Sequence, residues 1–72
     1  MDYADRISFL RKNLGLTRKQ LADSSGISQE VIKNYERRYR RPAYEGLISL
    51  ANFFNVSIDY LVGRSNTPTR LP

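Results

Sequence analysis

The chain has 72 residues with no cysteine and no histidine, which excludes disulfides, thiol chemistry, Cys/His zinc sites and histidine acid–base catalysis. Twelve Lys and Arg against seven Asp and Glu leave a net charge of +5, a balance that favours polyanionic partners without requiring them. One small domain with a modest core is expected, and no run reaches the roughly 18 continuous apolar residues of a membrane span.

The first helix is expected over about Asp2 to Asn13. Tyr3, Ile7, Leu10 and Leu14 recur at helical spacing as its inner stripe, and Gly15 ends it. Phe9 is turned away from that stripe. The opening MDYADR is acidic rather than basic, so no signal peptide is expected. A cytoplasmic location is expected, and the lack of cysteine suits a reducing cytosol.

Thr17 and Gln20 then have the spacing of a capping box, which opens a second helix. Leu21 and Ala22 give it an inward face. Gly26 stands where the chain must reverse, and glycine accepts the positive φ that a helix C-cap usually needs. Ile27 can plug the core behind the turn, and Ser28 is an N-cap for a third helix.

The third helix, about 28–37, divides by angle. At ~100° per residue from Gln29, Lys33 falls at ~40°, Arg37 at ~80°, Glu30 at ~100° and Asn34 at ~140°. Val31, Tyr35 and Ile32 fall at ~200°, ~240° and ~300°, and Glu36 sits on the boundary at ~340°. One arc is apolar, and the other offers amides, an acid and cations. The cations continue beyond the helix at Arg38, Arg40 and Arg41.

Pro42 marks the start of a fourth helix, where its missing N–H is harmless. Its inner face is Tyr44, Leu47, Leu50, Ala51 and Phe54, and Gly46 within it costs about 1 kcal/mol relative to Ala. Asn55 closes it. Ser57 caps a short fifth helix, Ile58 to Val62, stopped by Gly63. Residues 1–63 therefore read as one domain, and 64–72, polar with two prolines, as a flexible tail or linker. The fold class is all-α, a compact five-helix domain without strands.

Two short helices pinned at a tight turn, the second with a polar and basic outer face, have the layout of a helix-turn-helix. Such a unit docks its second helix, here the third of the chain, in the DNA major groove. Gln29 and Asn34 have the chemistry to bond adenine N6 and N7, and Glu30 can accept from cytosine N4. An acid near a helix N-terminus is also favoured by the helix dipole, with no DNA involved. Arg37, Arg38, Arg40 and Arg41 can neutralise phosphates, although a solvated basic loop has the same composition. Tyr35, Tyr44, Phe53, Phe54 and Tyr60 read as core or interface, since RNA-stacking modules usually present aromatics on a sheet. Val56, Ile58, Tyr60, Leu61 and Val62 crowd a helix too short to bury them all, which makes this end a candidate surface for a second copy; the alternative is that they close the monomer's own core, the reading favoured for Ile58 and Leu61.

From Arg6 to Gly63 the chain resembles the lambda-repressor-like (Xre or Cro/CI type) helix-turn-helix regulators. The matching residues are R-I-x-x-L-R at Arg6 to Arg11, G-L-T-x-x-x-L-A at Gly15 to Ala22, and G-I-S at Gly26 to Ser28. I-x-x-Y-E at Ile32 to Glu36, R-x-x-x-x-P ending at Pro42, and L-x-x-L-A-x-x-x-x-V-S-x-D-Y-L at Leu47 to Leu61 complete the pattern. The resemblance implies a transcriptional regulator of double-stranded DNA, a repressor, acting as a symmetric homodimer on a palindromic operator. It implies base reading by Ser28, Gln29, Glu30, Lys33 and Asn34, and phosphate contact by Arg18 and Lys19. It pairs Arg11, a further phosphate candidate, with Glu36. Four positions depart from the pattern: Arg38 stands where glycine is common, Tyr39 where a charge is usual, Ala43 where a capping Ser or Thr is common, and Phe9 at a normally polar site.

No cofactor, metal or small-molecule ligand is expected, and no catalytic residue. The rival reading is a protein-interaction module, an antitoxin or antirepressor built on the same fold. An enzyme is disfavoured by the absence of histidine, cysteine, a Gly-rich phosphate loop or a convergent carboxylate pair.

Overall fold

The structure, a computed structural model, describes residues 1–69; Arg70, Leu71 and Pro72, the end of the expected tail, lie outside the described residues. Five helices form, α1 (Tyr3–Asn13), α2 (Arg18–Ser25), α3 (Gln29–Glu36), α4 (Tyr44–Phe54) and α5 (Ile58–Leu61), and there is no strand among the described residues.

Local chemistry sets most of the helix ends. Asp2 caps α1, its carboxylate accepting the Asp5 N–H at 3.0 Å. The capping box of α2 is complete: Thr17 Oγ1 accepts from the Gln20 N–H, and Gln20 Oε1 accepts from the Thr17 N–H at 2.8 Å. Gly26 closes α2 in the left-handed region at φ 77°, and its N–H donates to the Ala22 carbonyl. Ser28 and Ser57 cap α3 and α5 through side-chain oxygens that accept the Val31 and Tyr60 N–H groups. Asn55 ends α4 at φ 56°, a conformation its short polar side chain tolerates.

Ile7, Leu21, Ile32, Tyr35, Leu50, Ala51, Val56 and Leu61 form the core. Burying each large aliphatic side chain contributes about 1.5–3 kcal/mol. α3 packs on both α1 and α2, α4 packs on α2 and α5, and α1 closes on α5. The apolar arc of α3 is thereby buried, and its polar arc faces outward.

Three expectations are corrected. Leu14 is 57% exposed rather than on the inner stripe, because α1 stops at Asn13 and Leu14 is already its cap. Tyr44 is 67% exposed, because α4 begins there and not at Pro42; Ala43 is the cap and offers no side-chain acceptor. Val56, expected on the pairing surface, is buried in the monomer's own core; Leu61 is buried there as expected, and Ile58, Tyr60 and Val62 are half-buried. Gly46 also has a reason beyond propensity. A Cβ there would stand 2.8 Å from the buried Tyr35 hydroxyl, so the glycine lets α4 approach that ring. At the C-terminal side, the Arg64 and Ser65 N–H groups donate to the Asp59 carbonyl, and the Ser57 N–H donates to the Pro68 carbonyl at 3.1 Å.

Two arginines hold α1 in place. Arg6 is buried, with its guanidinium carbon 3.8 Å from the centre of the Tyr60 ring, a cation–π contact between α1 and α5. Arg38 occupies the left-handed region at φ 62° directly beyond α3, which explains the departure at this position: the corner that glycine commonly turns is made here by an arginine. Its guanidinium donates to Asp2 at 2.8 and 3.1 Å and to Asp5 at 2.8 Å. The hydrogen bond from Arg38 holds the Asp2 carboxyl below its ordinary value of 3.8, with help from the Asp5 N–H, and the two acids raise Arg38 in turn.

A lowered carboxyl pKa stabilises the fold above the ordinary value, and the gain is lost as pH falls through the lowered one. Asp2→Asn keeps a capping side chain and removes the charge. The variant is expected to be slightly less stable than the wild type at neutral pH. The gap should close as urea melts are taken to pH values below 3.8. A gap that persists unchanged in acid would show that the charge is not what matters at this position.

Candidate nucleic-acid interface

The outward face of α3 is built around one carboxylate. The side chain of Glu36 is only 3% exposed. Arg11 grips it with two parallel bonds, Nε to Oε2 at 2.7 Å and Nη2 to Oε1 at 3.0 Å, while Arg11 Nη1 donates to the Leu16 carbonyl at 2.8 Å. Arg18 approaches from the start of α2, its Nε and Nη2 each 3.3 Å from Glu36 Oε1. One acid from α3 therefore gathers cations from α1 and α2, and it fixes the angle at which α3 is presented. The helical wheel puts Glu36 at the core boundary; the structure places its side chain inside, where two guanidinium groups spare it the desolvation penalty of a lone buried charge.

The base-reading candidates share one surface. Ser28, Gln29 and Glu30 are exposed at the first turn of α3, and Lys33 and Asn34 follow, half-buried, on the next. The Ser28 hydroxyl oxygen is engaged as the cap of α3, which leaves its proton free to donate outward. Glu30 and Lys33 pair with each other at 3.1 Å. A polar groove runs between the helices, lined by Arg18, Gln29, Glu30 and Lys33. A second depression crosses the turn beside Gly26, Ile27, Ser28 and Gln29.

The phosphate candidates divide. Arg18 is partly exposed beside the groove, and Lys19 stands 72% exposed beside Asp23. Arg37, Arg40 and Arg41 are exposed and enter no ion pair among the described residues. Arg11 and Arg38 are engaged within the protein instead, the first on Glu36 and Leu16, the second on Asp2 and Asp5. Sequence reasoning left Arg6 without a role. Its spacing from Tyr3 and Leu10 on α1 was a signal that its charge obscured. No group of His, Cys, Asp and Glu able to hold a metal ion occurs among the described residues. Among the described residues no helix is long and apolar enough to cross a membrane.

The Arg11–Glu36 pair gives a direct test of this arrangement. Breaking it with Arg11→Met or Glu36→Gln should destabilise by more than the about 0–1 kcal/mol of an exposed pair, towards the about 3–5 kcal/mol of a buried one. A double-mutant cycle in chemical denaturation is expected to return a favourable coupling energy, and zero coupling would reject the pair as a tie between α1 and α3.

Comparison with known proteins places this geometry. A helix-turn-helix family model matches residues 7–61. The chain is 39% identical over 64 residues to the HTH-type transcriptional regulator ImmR of Bacillus subtilis, covering 89% of this chain and 50% of the relative. It is 38% identical over 64 residues to the cryptic phage CTXphi transcriptional repressor RstR of Vibrio cholerae, covering 89% and 57%. The chain thus spans about half the length of the curated relatives it matches. Among solved structures, the P22 c2 repressor in complex with a synthetic operator superposes with a TM-score of 0.83 at 29% identity, over 90% of this chain and 98% of that one. With five helices in this order, the capped turn at Gly26 and a family match from Ile7 to Leu61, the chain belongs to the lambda-repressor-like helix-turn-helix family.

Proposed function

We propose that this chain is the sequence-specific DNA-binding part of a bacterial or phage transcriptional repressor, working in the cytoplasm without a cofactor. The observation that carries the reading is the outer arc of α3. Ser28, Gln29, Glu30, Lys33 and Asn34 lie on it, Arg18 and Lys19 of α2 border it beside Gln29, and the exposed Arg37, Arg40 and Arg41 follow α3 in the chain. Hydrogen-bonding side chains in the centre suit base edges, and cations at the rim suit phosphates. The likeness to a repressor solved with its operator supports the same docking, with α3 in the major groove. No comparable feature favours an antitoxin or antirepressor, and salt-dependent, sequence-selective binding separates these readings.

Gln29→Ala is expected to weaken binding to the cognate site by about 1–3 kcal/mol and to leave binding to random DNA nearly unchanged. Equal losses on both would remove Gln29 from the base-reading set. Arg18→Ala should weaken both alike and flatten the slope of log affinity against log salt by about one. Fluorescence anisotropy across a salt series measures both, and an unchanged slope would exclude phosphate contact by Arg18.

Pairing on DNA belongs to the same proposal. A domain of this size makes too few base contacts to select one site in a genome alone. Two copies about a twofold axis double those contacts and set the half-sites ~34 Å apart. With Val56 and Leu61 buried, Ile58, Tyr60 and Val62 are what remains of the apolar end for a partner. That is little against the ~1,000 Å² of a stable interface, so pairing is completed on the operator. Sedimentation with a palindromic duplex should give two chains per duplex, and one chain at saturation would overturn the dimer.

A further inference from the structure

Glu30 and Lys33 stand one turn apart on the outer face of α3, with Lys33 Nζ 3.1 Å from Glu30 Oε2. The Glu30 side chain is 70% exposed, and both residues line the groove shared with Arg18 and Gln29. A lone carboxylate here would be repelled by phosphates. A carboxylate paired with an ammonium is a different object. It offers an acceptor and a donor side by side, one hydrogen-bond length apart.

Each base pair carries the complementary arrangement in the major groove. Its Watson–Crick bond holds a keto oxygen and an amino nitrogen ~2.9 Å apart. Guanine O6 lies beside cytosine N4, and thymine O4 lies beside adenine N6. Resting on the reading of α3 as the base-reading helix, we infer that Glu30 and Lys33 act together as one reader of one base pair. Lys33 sits over the keto base and Glu30 over its amino partner. Lys33 Nζ donates to the keto oxygen, the amino N–H donates to the Glu30 carboxylate, and Nζ still donates to that carboxylate. No charge is left unpaired in the dehydrated groove.

This seating ranks the four bases on the strand under Lys33. Guanine is first, because its N7 beside O6 offers the ammonium a second acceptor. Thymine is second, with O4 but a methyl group where N7 would be. Adenine and cytosine are worst, adenine keeping only its N7 as an acceptor for the ammonium and cytosine none. Each would turn an amino group toward the ammonium and a keto oxygen toward the carboxylate, two repulsions in place of two bonds.

Selection from a randomised duplex library, run with the wild type, Lys33→Met and Glu30→Gln, tests the pair. In the wild type, one position per half-site should rank guanine, then thymine, with adenine and cytosine weaker by about tenfold or more. Both variants should flatten that same position and leave the preferences elsewhere intact. Flattening at two different positions, or adenine replacing guanine better than thymine does, overturns the joint reading. A wild type with no preference at any position would instead strike α3 as the base-reading element, and the pair with it. Thermal melts of both variants should stay close to the wild type, since the pair is a surface one and neither side chain belongs to the core.

Discussion

A single buried carboxylate organises this domain. Glu36 is the last residue of α3, and its two oxygens are shared by a guanidinium from α1 and another from α2. The apolar core alone would allow the helices to slide by a fraction of a turn, since hydrophobic attraction has no direction. The paired bonds from Arg11 do have direction, because a guanidinium fork and a carboxylate share a plane. They set the roll of α3 about its own axis, and the roll decides which side chains face outward. Burial of Ile32 and Tyr35 on one side and exposure of Gln29 and Glu30 on the other, driven by the apolar core, agree with that roll.

The same carboxylate joins fold to function through Arg18. The arginine is oriented by Glu36, yet it lies at the rim of the groove formed with Gln29, Glu30 and Lys33. A side chain held in this way loses less rotamer freedom on meeting a phosphate than a free one does. Lys19, next in sequence, is held only by an exposed pair one turn along its own helix, its Nζ 3.3 Å from Asp23 Oδ2. The two neighbours illustrate how formal charge and useful charge differ. Of the seven cations grouped as phosphate contacts, Arg11, Arg18, Lys19 and Arg38 are paired with carboxylates of the protein, and Arg37, Arg40 and Arg41 are left unpaired among the described residues.

What was legible in the sequence was local. The Thr17–Gln20 box, the turn at Gly26, and the caps Ser28 and Ser57 depend on residues three or four apart, and their chemistry is readable without the fold. Periodicity misled at the ends of helices. Leu14 and Tyr44 keep the spacing of their stripes, but the helices stop at Asn13 and start at Tyr44, so neither residue reaches the core. Long-range partners were hidden altogether. Nothing near Arg38 in sequence announces Asp2, 36 positions away, and the charge of Arg6 disguised a residue that the fold lays on the ring of Tyr60. The Arg11–Glu36 pair was reached through family likeness, with the helical wheel adding only that Glu36 lies at a boundary. The candidate site was more legible than its supports, because exposed polar residues on one helix arc can be read by angle, whereas the contacts that aim the helix come from elsewhere in the chain.

The corner at Arg38 bears on how the sequence can change. A non-glycine residue in the left-handed region carries about 1–2 kcal/mol of backbone strain, and here the side chain offsets it by bridging Asp2 and Asp5. The three positions therefore form an epistatic set. Glycine at position 38 relieves the backbone but leaves two acids close together at the start of α1, and losing the acids first leaves the strain without its return. Neither step is neutral alone, so the set is expected to be inherited or replaced as a block. Lineages with glycine at this corner should be free to vary at position 5 and to carry any capping residue at position 2, while lineages with arginine should keep acids at both.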